Sequence, residues 1–209
     1  MTEQPTVNRQ LIEGRPALIV IDILESSVID KPALEKLSIP HMPDYAARMR
    51  TARKVVDKAH ECGIPVIFIQ EVHRPDLIDF GRELDGSETI HCLENNPMTE
   101  VAKEAMGYRD SDYIVKKRRY SAFFATDLEI LLKGLKVDTL LLCGGLTDVC
   151  VHYTFVDGHQ HDYFCRVIED CVAGSDLAAH EASLKAMEYL QTGARCSLPD
   201  VLRAIGRIE

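Results

Sequence analysis

Runs of apolar and β-branched residues recur along the chain at regular intervals. The run "ALIVIDI" spans 17–23, and further strand-like runs occupy 65–70, 111–117, 138–144 and 164–170, with a short one at 194–197. A strand that is apolar at consecutive positions is typical of a parallel sheet with both faces covered. The pattern therefore predicts six strands in one mostly parallel sheet.

The segments between these runs have the periodicity of amphipathic helices. Residues 43–63 place alanine, methionine and valine on one stripe, and Gly63 is a stop signal. Other helices are predicted near 98–106, at 126–135 with Thr126 as N-cap, from an N-cap at Thr147 to 162, at 176–193 and from Pro199 onward.

This alternation predicts an α/β fold of three α-β-α layers, doubly wound and Rossmann-like. Repeats, low-complexity tracts and linkers do not interrupt the pattern. We therefore expect residues 1–209 to form a single domain.

Composition narrows the classes of partner. The chain of 209 residues is 46% hydrophobic, which suffices for a full core, and its formal net charge is -9. A nucleic-acid partner is not expected, because the one basic cluster, at 116–119, is short. No apolar run approaches the ~18 residues of a membrane span, and the N-terminus is too polar for a signal peptide. The expectation is a soluble, cytoplasmic protein without a membrane partner.

Seven cysteines are spread along the chain, and none belongs to a CxxC pair. An odd count in a chain without a secretory signal predicts reduced thiols. A structural zinc site of the cysteine-pair type is not expected. Several of these cysteines lie in apolar runs, where a free cysteine is a small core residue.

Polar residues stand where several predicted strands end. Asp22 ends the first strand, Glu71 and His73 follow the second, Lys117 ends the third, and Cys150 follows the fourth. In an open α/β sheet, ligands bind beyond the carboxyl ends of the strands, so these positions are expected to meet there. The alternative is that Asp22 marks a strand entering a solvated loop and that Lys117 belongs to a wet face.

Cys150 has the sequence context of a nucleophile. It follows "GGLTD" in the first turn of a predicted helix, where free N–H groups and the helix dipole favour a thiolate. A neighbouring Lys117 is expected to lower the thiol pKa further. Asp22 would accept the thiol proton, and the N–H groups of Leu146 and Cys150 would hold an oxyanion. Together these groups predict acyl transfer from an amide.

Four stretches carry a resemblance to a known family. "ALIVID", "IVKKRRYSAFFATDLEILL", "DTLLLCGGLTDVCV" and "CRVIEDCVAG" resemble the isochorismatase-like cysteine hydrolase superfamily, which includes nicotinamidases, N-carbamoylsarcosine amidases, biuret hydrolases and ureidoacrylate amidohydrolases. The resemblance implies Asp22, Lys117 and Cys150 as the catalytic residues. Lys117 rather than Lys116 is chosen because the family's lysine stands three residues before a tyrosine, here Tyr120.

The resemblance also implies a backbone feature and an assembly. A cis peptide bond between Gly145 and Leu146 is expected, which would aim the Leu146 N–H at the oxyanion. A homodimer or homotetramer is expected as well, since the superfamily commonly forms such oligomers.

The chemistry implied is hydrolysis of a small amide or N-carbamoyl (ureido) compound through a thioester, with release of ammonia or an amine. Members specialised for vinyl-ether cleavage lack the cysteine, so Cys150 favours amide hydrolysis. Isochorismatase-type cleavage of a vinyl ether is an alternative. A metal-dependent nicotinamidase is another, and a metabolite-binding module without activity is a third.

Nicotinamidases carry a metal on an Asp-x-His pair and a later His. Glu71, His73 and His91 stand near those positions, but Glu replaces Asp, so neither a metal nor another cofactor is predicted, and the question of a metal on these three residues stays open. Arg74, Arg119 and Tyr153 are candidate substrate-binding residues, with surface or core positions as their alternative.

Overall fold

A parallel sheet of six strands forms the centre of the protein. The computed structural model describes residues 10–29 and 39–208. The strands are β1 (Pro16–Ile21), β2 (Val66–Glu71), β3 (Tyr113–Lys117), β4 (Thr139–Gly145), β5 (Phe164–Ala173) and β6 (Arg195–Cys196). Their order across the sheet is β3-β2-β1-β4-β5-β6, and every neighbouring pair is parallel. The predicted α/β fold is confirmed.

Helices connect the strands and cover the sheet. They are α1 (Tyr45–Thr51), α2 (Arg53–Glu61), α3 (Lys103–Met106), α4 (Leu128–Leu135), α5 (His152–Gln160), α6 (Leu177–Leu190) and α7 (Leu198–Ile205). A π-helical turn, Thr147–Val151, leads into α5. No helix in residues 10–29 and 39–208 is both long and apolar enough to cross a membrane.

Three helix predictions are corrected by the structure. Thr126 is not the N-cap of α4, because the capping position is Asp127 and the Thr126 hydroxyl accepts a hydrogen bond from the Leu128 N–H at 3.2 Å. The helix predicted over 43–63 is two helices, α1 and α2, which meet at Ala52. Thr147 is not an N-cap, because its hydroxyl is bonded to Nδ1 of His180 at 2.8 Å and the capping position is Leu146. The side chain expected to start a helix therefore ties the turn to α6 instead.

The core lies on both faces of the sheet, as alternation along β1 illustrates. Leu18 and Val20 pack into a cluster with side chains of α1, α2 and α7. Ala17, Ile19 and Ile21 pack into a second cluster with side chains of α4, α5 and α6. Because successive strand residues point to opposite faces, a continuously apolar strand is what this arrangement requires.

The strand order reverses between β1 and β4. From β1 the chain passes to β2 on one side, while β4 pairs with the other side of β1. The connections at this point lead in opposite directions, and a crevice opens beyond the carboxyl ends of the two strands. Gly144 permits their close approach, since a Cβ there would lie 1.9 Å from the carbonyl oxygen of Ile21.

Candidate active site

The three predicted catalytic residues lie together at this crevice. Asp22 directly follows β1 with a positive φ of 49°, Lys117 is the last residue of β3, and Cys150 lies in the π-helical turn after β4. Nζ of Lys117 is 2.9 Å from Oδ2 of Asp22 and 3.3 Å from Sγ of Cys150. The sheet thus brings residues that are far apart in sequence to hydrogen-bonding distance.

Alternation along β3 separates the two neighbouring lysines. Lys117 is fully buried and points to the face of the sheet that carries Val115 and Cys150, whereas Lys116 is exposed. A lysine stem can extend along an apolar surface, and here it carries the ammonium past the end of β2 to the turn after β4.

Glu71 belongs to the same cluster. It is the last residue of β2, which lies between β3 and β1. Its Oε2 accepts hydrogen bonds from Nζ of Lys117 and, at 3.4 Å, from the thiol of Cys150, and its N–H donates to Oδ1 of Asp22 at 2.8 Å. The cluster is therefore a thiol and an ammonium with two carboxylates rather than one.

Burial and pairing set the charges of this cluster. Burial lowers the pKa of the Lys117 ammonium, but the acidic neighbours outweigh it and hold the pKa well above its usual value. For Glu71, burial is outweighed by Lys117 and two histidines, and its pKa falls well below the usual value. Burial raises the pKa of Asp22 to about 6, against the opposing effect of Lys117. All three groups are charged at neutral pH.

The expectation of a lowered pKa for Cys150 is wrong. Burial raises the pKa of this thiol well above its usual value, and the charges of Glu71 and Asp22 raise it further, while Lys117 opposes them. At rest Cys150 is therefore a thiol that donates to a carboxylate. For this thiol to act as a nucleophile, a base beside the sulfur would have to take its proton during attack.

The turn that carries Cys150 is held on several sides. The Gly145–Leu146 peptide bond is cis, and the Leu146 carbonyl accepts hydrogen bonds from Val149 and Val151. On the adjacent residue, Oδ2 of Asp148 accepts a hydrogen bond from the Ser175 hydroxyl at 2.5 Å. These bonds fix the backbone around the sulfur.

A small cavity opens above Cys150. It has a volume of about 70 Å³ and is lined by Asp22, Glu71 and Cys150 together with Ser27, His41, Tyr45, Cys92 and Leu146. Engineered protein cavities of roughly 150 Å³ hold a benzene ring. A space half that size fits a small functional group at the sulfur, such as an amide or a ureido group.

The predicted substrate-binding residues lie outside this cavity. Arg74 is largely exposed beside Asp79, with Nε 3.8 Å from a carboxylate oxygen, and the Arg119 guanidinium donates to the Asp79 carbonyl. Tyr153 is half exposed and stacks on Tyr120, with ring centroids 5.9 Å apart. These two tyrosines line a second, outer cavity of about 440 Å³. The inner and outer cavities share Leu146 and Glu88.

A second cluster adjoins the first through Glu71. Its Oε1 lies 2.8 Å from Nε2 of His91 and 3.5 Å from Nε2 of His73, and Nε2 of His73 is 3.2 Å from Oε2 of Glu83. One ligand atom from each of these four residues lies within 4.8 Å of the others. We call these four residues the Glu/His cluster.

The Glu/His cluster fits a divalent cation. Both ring nitrogens of His73 and both carboxylate oxygens of Glu83 are buried and lack a well-formed hydrogen bond. Such groups are costly to bury unless a charge or metal satisfies them. Imidazole and carboxylate ligands suit zinc, cobalt, manganese and iron. Glu83 was missed because it lies in a long connection whose sequence has no periodicity to place it.

The cluster also attracts positive charge as protons. Burial disfavours a charged His73, but Glu71 and Glu83 outweigh burial and raise the pKa of its imidazole to about 9. The pKa of His91 is raised for the same reason, mainly by Glu71. The two carboxylates therefore require a positive partner at this place.

Comparison with known proteins gives a consistent result. The isochorismatase domain profile matches residues 16–198. Maleamate amidohydrolase of Pseudomonas putida is 28% identical over 172 residues, covering 81% of this chain and 78% of the relative. Ureidoacrylate amidohydrolase RutB of Pseudomonas savastanoi is 30% identical over 186 residues, covering 81% of this chain and 76% of the relative.

A solved structure agrees with the sequence matches. The isochorismatase-like hydrolase of Alkaliphilus metalliredigens superimposes with a TM-score of 0.78 at 25% identity, over 91% of this chain and 99% of that one. The profile match spans all six strands of the sheet and all three predicted catalytic residues. The chain therefore belongs to the isochorismatase domain family.

Proposed function

We propose that this protein is an amidohydrolase that cleaves a small amide or N-carbamoyl (ureido) compound through a thioester on Cys150. The relatives named amidohydrolases support hydrolysis of a carbon–nitrogen bond other than a peptide bond. The observation that carries the cysteine mechanism is the Lys117 ammonium, which lies within 3.3 Å of both the Asp22 carboxylate and the Cys150 sulfur.

The reaction begins with proton transfer from the thiol. Asp22 accepts the proton as the sulfur attacks the carbonyl carbon, and Lys117 stabilises the negative charge on sulfur. The backbone N–H groups of Leu146 and Cys150 donate to the oxyanion. The carbon–nitrogen bond then breaks, and the amine leaves with the proton that Asp22 returns.

Water completes the cycle. Asp22 takes a proton from a water molecule that attacks the thioester, and the acid product leaves as the thiol is restored. One amide and one water thus give one acid and one amine. Glu71 stays ionised throughout and holds the Lys117 ammonium in place.

The Glu/His cluster supports a metal-dependent variant of this function. Glu71, His73, Glu83 and His91 would hold a divalent cation, which would supply Lewis-acid chemistry beside the sulfur. The residues that form and cleave the thioester are the same in either case.

Substitutions of Cys150 and Asp22 test the mechanism. Cys150→Ser and Asp22→Asn are expected to lower kcat at least about 1000-fold, because the nucleophile or its base is lost. Ammonia release from a panel of small amides, ureides and nicotinamide would be measured with and without chelator. Mass spectrometry of the quenched wild-type protein should show an acyl adduct on Cys150.

The half-buried Cys62 offers a matched control. Cys62→Ser should keep wild-type turnover, since this thiol lies at the end of α2, away from the crevice. Full turnover by Cys150→Ala would exclude a thioester.

We also propose that the chain forms a homodimer or homotetramer in the cytoplasm. Large apolar side chains on the surface support self-association, among them Phe124, Ile130 and Tyr189, which are 59%, 76% and 89% exposed. Free thiols at all seven cysteines support a reducing compartment.

A further inference from the structure

Glu71 is the one side chain that takes part in both clusters described above. Its Oε1 faces His91 and His73, and its Oε2 faces Lys117 and Cys150. The carboxylate is almost completely buried, with 4% of the residue exposed. Solvent screening between the two clusters is therefore weak.

The two oxygens compete for the same negative charge. An ammonium beside Oε2 weakens the attraction between Glu71 and a cation at Oε1. In the same way, a cation at Oε1 weakens the ion pair between Glu71 and the ammonium. Lys117 divides its pairing between Glu71 and Asp22. One buried carboxylate thus links the electrostatics of the two clusters.

We propose that Glu71 couples a divalent-cation site, completed by His73, Glu83 and His91, to the Lys117–Cys150 pair. The cation binds more tightly when a neutral side chain replaces the Lys117 ammonium, and a bound cation weakens the ion pair between Glu71 and Lys117. By reciprocity, both effects have the same coupling constant. The coupling deepens the proposed function, but cation binding is measured without substrate and does not depend on turnover.

Cobalt(II) is a suitable probe, because its visible absorption reports coordination by imidazole and carboxylate directly. The full chain, treated with chelator and dialysed, would be titrated with cobalt(II) chloride. Glu83→Gln should weaken binding at least tenfold, since one ligand is lost. Lys117→Met should tighten binding at least tenfold, since a buried competing charge is lost.

Lys116→Met is the matched control for Lys117→Met. The two lysines are neighbours on β3, but Lys116 is exposed and points away from Glu71, so cobalt affinity should stay within twofold of the wild type. If Lys117→Met does not fold, Asp22→Asn serves instead. Without Asp22 as a second partner, Lys117 pairs with Glu71 alone, and cobalt binding should weaken severalfold.

Two results would overturn the inference. The first is a wild-type protein that binds no cobalt at millimolar concentration. The second is cobalt affinity within twofold of the wild type in the folded Lys117 or Asp22 variant. Neither result bears on the thioester mechanism, which fails only if variants of Cys150 stay active.

Discussion

The buried charge of Lys117 affects the ionisation of the side chains around it. Its ammonium has no exposed surface and lies among two carboxylates and a thiol. The positive charge keeps Glu71 ionised, yet it is not enough to ionise Cys150 against burial and two negative charges. The site therefore holds a neutral thiol beside ionised carboxylates, and in the proposed mechanism the thiolate forms only as the sulfur attacks the substrate.

His41 gives a pH-dependent prediction at the residue scale. Burial lowers the pKa of this imidazole from 6.5 to about 4. Above pH 6.5 the imidazole is neutral in the folded and the unfolded chain, so it does not change the free energy of unfolding. Between pH 6.5 and 4 the unfolded chain binds the proton first, and the free energy of unfolding therefore falls as pH falls. After discounting for partial exposure, the loss is about 1–2 kcal/mol.

The measurement is urea unfolding of the wild type and His41→Gln from pH 8 to pH 4. The difference between the two proteins in free energy of unfolding should shift in favour of the variant as pH falls. The remaining histidines are common to both proteins and cancel. If the free energies of unfolding of the two proteins changed in parallel with pH, the lowered pKa of His41 would be contradicted.

Much of the candidate site could be predicted at this scale. Asp22, Lys117 and Cys150 stand at strand ends in the sequence, and a parallel sheet brings such ends to one edge. Glu71 was recognised only as a possible ligand, because its contact with the thiol depends on β2 lying between β3 and β1. The thiol pKa was misjudged for the same reason, since burial and a second carboxylate are properties of the assembled fold.

At the scale of elements, the meeting of β1 and β4 depends on Gly144. Its φ is 116°, and a Cβ would lie 1.9 Å from the Ile21 carbonyl oxygen, which is backbone and cannot move aside. Gly144→Ala should therefore destabilise the protein by at least about 3 kcal/mol, or prevent folding. Thermal unfolding and soluble yield would measure the effect.

Gly134 in α4 is the matched control. Apart from the backbone of its own helix, no described atom lies within 4 Å of its added Cβ, and its φ is not in the left-handed region. Gly134→Ala should raise stability by up to about 1 kcal/mol, because alanine has the higher helix propensity. Equal stability of the two variants would show that the β1–β4 approach tolerates a side chain.

Element types were predicted better than element ends. All six strands occur close to their predicted positions. Short, continuously apolar runs are typical of strands that are buried on both faces of a sheet. The break at Ala52 was missed, since the apolar stripe continues through it. Thr147 was misplaced because its sequence favours a cap, while its hydroxyl is taken by His180 on α6.

At the scale of the whole molecule, the exposed apolar side chains bear on assembly. Sedimentation equilibrium should give a mass two or four times the 23.5 kDa of one chain. Substituting Tyr189, the most exposed large apolar residue in the described part of the chain, by serine should lower that mass if α6 is part of the interface. A monomeric wild type at micromolar concentration would contradict self-association.

The fold class was predictable because it follows from alternation alone, which the whole chain repeats. The substrate was not, because the cavity wall is built from side chains that only the tertiary structure assembles, such as His41, Tyr45 and Cys92. Sequence patterns place strand ends reliably, but they carry little information about which loops converge over them.

Leu146 takes part in two features of the site. The main chain of Leu146 belongs to the turn around the sulfur, while its side chain stands where the inner and outer cavities meet. A smaller or larger residue at this position would widen or narrow the passage between the inner and outer cavities. The side chains of Cys150, Asp22 and Lys117 would stay unchanged. Substitution of this one side chain is therefore expected to change which molecules reach the sulfur more than it changes the groups around it.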